Sequence, residues 1–145
     1  MSLRLLLVVL AGLALVATAC GSASSGYRKR VDSLQAQYRP RISTLEGQLA
    51  TAITKRQPAT GARAATAASS TITTLQRSIA ALHPPPALAA RSSKLVIAYG
   101  ELVHDLDLIA SALRARAPER ANTAIEHYND ARLDESSAIA ALNAD

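Results

Sequence analysis

Hydrophobic residues recur at steps of three and four along most of the chain, and proline-containing breaks cut the pattern into four segments. That period lines apolar side chains along one stripe of an α-helix, so an all-helical protein is expected. The first helix spans about Tyr27 to Arg56, with Val31, Leu34, Tyr38, Ile42, Leu45, Leu49 and Ile53 near one stripe. Pro40 falls inside it and removes a backbone donor. It implies either a kink near Leu34 to Arg39 or a helix that starts only at Pro40. Gln57-Pro58-Ala59-Thr60-Gly61 is expected to close the segment.

The second helix, about Ala62 to Leu82, offers Ala64, Ala65 and Ala68 and then Ile72, Leu75, Ile79 and Leu82. Ser69, Ser70, Thr71, Thr73 and Thr74 are poor interior helix residues, so this element is expected to fray first. His83 and three prolines stop it, and Pro86 suits the first turn of the next helix. The third helix, about Ala87 to Arg116, has the strongest pattern. Leu88, Ser92, Leu95, Tyr99, Leu102, Leu106, Ile109 and Leu113 make a heptad seam widened by Val96, Val103 and Ala110. It is expected to dominate stability. The fourth, about Glu119 to Leu142, buries mainly Ala121, Ala124, Tyr128, Ala131, Ala138 and Leu142, with Ile125, Leu133 and Ile139 beside that row. Short links between long helices favour antiparallel neighbours, hence an elongated up-down-up-down four-helix bundle over residues 27–145.

Composition supports helices: 31 of 145 residues are alanine, Arg outnumbers Lys 13 to 3, and Phe and Trp are absent. The charge is divided along the chain. Residues 20–94 carry eleven Lys/Arg against Asp32 and Glu46, while residues 95–145 carry four Arg against nine Asp/Glu. Either the halves pack together so that their fields partly cancel, or a face is left to an acidic partner or an anionic surface. The four tyrosines are not interleaved with basic residues, so there is no stacking platform, and nucleic acid is not read as a partner.

The N-terminal segment carries the most specific signal. Arg4 heads an apolar stretch from Leu5 to Ala17, and the small residues Ala17, Thr18 and Ala19 precede Cys20, the single cysteine. The stretch is shorter than the roughly 20 residues that span a bilayer. Leu-Val-Ala-Thr-Ala-Cys-Gly at 15–21 resembles the lipobox of bacterial lipoproteins, although Ala17 stands where Leu, Val or Ile is usual. The resemblance implies a signal peptide at 1–19 that is cleaved, and a diacylglyceryl group on Cys20. It further implies a lipid-anchored protein on the extracytoplasmic side of the cell membrane. An ordinary secreted protein with a leftover cysteine is the other reading. Gly21 to Gly26 then reads as a flexible tether, with residues 20–26 joining anchor to domain. In overall composition the chain is similar to small alanine-rich helical lipoproteins of high-GC Gram-positive bacteria. That likeness carries no functional residues across.

Candidate chemistry is sparse. Arg28-Lys29-Arg30 follows the tether closely, so in an anchored protein it sits beside the headgroups, where each basic residue adds about 1 kcal/mol on an anionic surface. Glu101 and His104 are spaced like half of a di-iron carboxylate site, but there is one such pair and it faces away from the seam. With Asp105 they make at most a weak surface metal site. Ile97 and Leu108 project from the polar side of the third helix with His104 between them, which suggests a small partner patch. His127 beside Glu126 and Asp130, and His83 before the prolines, read as solvated. No serine sits in an elbow and no glycine-rich loop opens a helix. A non-enzymatic envelope protein that binds or scaffolds another protein is therefore expected, with no cofactor. A ligand- or metal-binding helical module is the alternative.

Overall fold

Among the described residues four α-helices, α1 (Ser2–Thr54), α2 (Pro58–Ala80), α3 (Ala89–Arg114) and α4 (Pro118–Asn143), are joined by short links, with a 3-10 turn at Pro86–Leu88 before α3. The computed structural model describes the backbone of residues 2–144 and the side chains of residues 21–144. The side chains of the signal segment 1–19 and of Cys20 lie outside the described residues. Among the described residues no helix is long and apolar enough to cross a membrane. The 23 residues of α2 and the 26 of α3 and α4 correspond to lengths of roughly 35–40 Å. Tyr27 near the start of the bundle meets Ser92 at the start of α3, and Arg28 meets the end of α4. The helices therefore alternate in direction, as the short links require.

Two boundaries differ from the sequence reading. Residues 21–26 continue α1 as helix where a flexible tether was expected. Tyr27 is fully buried, so the helix must already be formed there, and Ala and Ser extend it without a proline to stop it. Gly21 and Gly26 have open space around them, so nothing obstructs the continuation. At the other end of α1, Pro58 starts α2 four residues before the expected Ala62, because a proline fits the first helical turn, where its missing N–H is not needed. Gly61 then lies inside α2. A Cβ there would come within 3.0 Å of Leu113 Cδ1 and 3.5 Å of the Ala52 Cβ, so a side chain would crowd three helices together. Helix α1 runs through Pro40, which rules out a start at that proline.

The α1–α2 and α3–α4 links have the same construction. Gln57 N–H donates to the Ala52 carbonyl (2.8 Å) and Arg56 N–H to that of Ile53 (3.0 Å); Ala117 and Arg116 repeat this with Ala112 (2.9 Å) and Leu113 (3.1 Å). This is the Schellman pattern, whose left-handed residue is usually glycine. Here it is an arginine both times, Arg56 at φ 53° and Arg116 at φ 52°. Each costs roughly 1 kcal/mol in backbone strain that a glycine would avoid.

Consecutive helices pack directly, α1 on α2, α2 on α3 and α3 on α4, whereas α1 and α4 stand further apart. The α3 seam forms the centre: Leu95, Leu102, Leu106 and Ile109 are fully buried, and only Leu113 is partly exposed. Stability is shared with α2, because Ile72, Leu75 and Ile79 are buried as deeply. Of the hydroxyls expected to weaken α2, those of Thr71, Thr73 and Thr74 each donate to the carbonyl four residues back, as do those of Thr66 and Ser78. On α4 the alanine row is buried as expected, ending in Leu142. Gly100 packs under Gln76, whose amide reaches the Val96 carbonyl at 2.8 Å. Urea denaturation should show Leu102→Ala and Leu106→Ala each losing about 2–5 kcal/mol. Leu133→Ala, at a position 68% exposed, should change stability by no more than about 0.5 kcal/mol.

Candidate functional site

The wide α1–α4 seam is bridged by side chains, and its chemistry follows from which residues reach across. Near its start, Arg28 Nε donates to the Leu142 carbonyl (2.9 Å), and the guanidinia of Arg28 and Arg91 both donate to the Ala144 carbonyl (2.5 and 2.6 Å). Cations thus close the negative end of the α4 dipole. In the middle of the seam lies a polar chain. Gln35 donates to the Tyr99 hydroxyl (3.0 Å), Arg132 donates to Glu135, and Arg132 Nε lies 3.6 Å from Glu46 Oε1, to which the Tyr128 hydroxyl also donates. Glu135 is only 8% exposed. A carboxylate so placed is tolerable only because the guanidinium reaches it.

Burial raises the Tyr99 hydroxyl well above the ordinary tyrosine range, and the Glu135 charge raises it further against the opposing Gln35 amide. Burial likewise raises Tyr128, aided by its hydrogen bond to Glu46. Burial alone would lower Arg132, but Glu135 and Glu46 outweigh it and the net shift is upward. The two tyrosines therefore stay neutral and Arg132 stays charged through neutral pH. The Tyr128 hydroxyl donates to Glu46, and the Tyr99 hydroxyl accepts from Gln35. The arrangement positions α4 on α1.

The residues singled out in the sequence fall in three places. Lys29 and Arg30 are exposed beside Arg28, which is half-buried and engaged with the end of α4. Ile97 (58% exposed), His104 and Leu108 (42% exposed) lie along the outer face of α3. Ile97, Glu101 and His104 line a groove against α4 whose far wall is His127, Asp130 and Asp134. Leu108 continues it beside His127 and Thr123. Asp105, expected to join a surface site, is buried to 7% exposure and lines the groove from below. Among the described residues no three His, Cys, Asp or Glu side chains are arranged to hold a metal ion. The weak site expected from Glu101, His104 and Asp105 is therefore not assembled; Asp105 turns inward while the other two remain at the surface. His83 is exposed in the α2–α3 link.

Sequence reasoning passed over Gln35, Glu46, Arg132 and Glu135. One signal was available: Glu135 occupies the seam row of α4 between Ala131 and Ala138, and Gln35 lies four residues after Val31. Polar residues at core positions of two helices require each other or a shared partner. The chain matches no family model, no curated protein and no solved structure.

The seam predicts an alkaline limit. Because the folded protein raises Tyr99 and Tyr128, their contribution is complete below about pH 10, where unfolded tyrosines ionise, and is lost as pH climbs above it. Melting temperatures followed from neutral pH upward should fall beyond that point, and the Tyr99→Phe/Tyr128→Phe variant should fall less steeply. Identical slopes would contradict the assignment.

Proposed function

We propose that this chain is a non-catalytic lipoprotein of the bacterial envelope, anchored through Cys20 at the extracytoplasmic face of the cell membrane, that binds another protein along the outer groove between α3 and α4. The observation that carries the binding reading is the pairing of exposed Ile97 and Leu108 with an acidic rim. Four carboxylates, Glu101, Asp105, Asp130 and Asp134, share the groove with His104 and His127. An apolar contact at Ile97 beside these carboxylates, continued by Leu108 alongside Glu119 and Arg120, suits a partner with a mainly basic surface around an apolar anchor. The lipobox at 15–21 supports the anchoring. Lys29 and Arg30 would face anionic headgroups, while Arg28 holds α4 in place.

A photo-crosslinking residue at position 97 or 108 in the native envelope should capture one protein, and the same residue at position 48 on α1 should not. Adding Asp130→Lys and Asp134→Lys should abolish the capture. Equal capture from both faces, or none, would contradict the groove as a docking site. Separately, mass spectrometry should find a diacylglyceryl group on Cys20. The lipidated Lys29→Ala/Arg30→Ala variant should bind anionic vesicles more weakly by about 2 kcal/mol, and neutral vesicles as before.

A further inference from the structure

At the end of the bundle that carries the two arginine-capped links, the α1–α4 seam opens into a cleft of about 530 Å³. Small residues create it: Ala52 on α1, Ala112 on α3 and Ala121 on α4 leave the space that larger side chains fill elsewhere. Its walls are apolar, formed by Ile53, Pro58, Leu113, Pro118 and Ile125. Arg56 and Arg116 also line it, and no Asp or Glu does. Among the described residues neither guanidinium is ion-paired with a carboxylate.

We infer that this cleft binds a small diffusible amphiphilic anion, an apolar chain with a carboxylate head, with the head held between Arg56 and Arg116. Three observations support this occupant. The volume lies in the range of small-molecule sites, and apolar walls with few polar groups are their usual composition. The two cations have no opposing charge in the lining, so the cleft is complementary to an anion and repels a cation. Both arginines occupy left-handed backbone positions that glycine would fill without strain, so the sequence twice keeps a guanidinium where stability favours its removal. The cleft lies at the C-terminal end of α1, well away along the helix from Cys20, and the inference does not depend on anchoring or on the α3–α4 groove.

The test is titration of the purified full chain with sodium decanoate below its micelle concentration, read from the methyl NMR signals of Ile53 and Ile125. Saturable shifts at these two residues, with weaker binding of uncharged decanol by roughly tenfold or more, are expected. Arg56→Gly/Arg116→Gly should melt at a higher temperature than the parent chain and lose decanoate binding by a similar factor. Asn122→Trp, which fills the mouth of the cleft, should block both ligands. Decanol binding as tightly as decanoate would overturn the inference. So would unchanged decanoate affinity in the double glycine variant, or shifts that do not saturate at Ile53 and Ile125.

Discussion

Helices α1 and α4 are joined by side chains across a gap, and most of what is distinctive in this bundle follows from that constraint. Elsewhere the helices meet through alanine and leucine rows that exclude water without specifying one partner over another. Across the gap, Glu46 on α1 takes Arg132 and the Tyr128 hydroxyl from α4, Arg132 also reaches Glu135, and Gln35 ties α1 to Tyr99 on α3. Hydrogen bonds to charged groups contribute about 1.5–3 kcal/mol each, but an unpaired buried carboxylate costs more than that. The chain is therefore sensitive to the loss of any one member. It fixes the position of α4 relative to α1 more firmly than apolar contact alone would.

The gap also explains why the two ends of the seam differ. Near residue 28, arginines close it on the last carbonyls of α4. At the other end alanines leave it open, and the arginines of the two links line the opening. The charge division read from the sequence maps onto this frame. Helices α1 and α2 hold most of the basic residues, and the groove between α3 and α4 holds a cluster of acidic ones. The halves meet at Arg132 and Glu46, and most of the remaining charges face solvent.

The helices were legible because their periodicity is strong. The α3 heptad from Leu88 to Ile109 is buried throughout, and the alanine row of α4 identified its inner face despite burying little area per residue. The seam was not legible, for a physical reason: Glu135 and Gln35 sit at core positions, and a hydrophobic pattern treats them as interruptions. Gln35 finds its partner, Tyr99, 64 residues away, and Glu135 is held by Arg132, which in turn meets Glu46 on a different helix. The left-handed arginines were hidden for a similar reason, since glycine is the residue that announces such a cap. The break at residues 57–61 misled because proline and glycine suggest a loop. Here the proline starts α2 and the glycine lets α1, α2 and α3 approach closely. The exposed stripe of Ile97, His104 and Leu108 was read correctly, because exposure follows directly from the helical period.

Amide hydrogen exchange across the whole chain tests the side-chain bridge most directly, comparing the parent protein with Glu46→Ala. Removing that carboxylate strips Tyr128 and Arg132 of their shared acceptor and leaves the α2–α3 core untouched. Exchange in α4 should therefore accelerate well beyond that in α2 and α3. Protection that falls evenly across all four helices, or does not change, would mean that the polar chain does not hold α4 to α1.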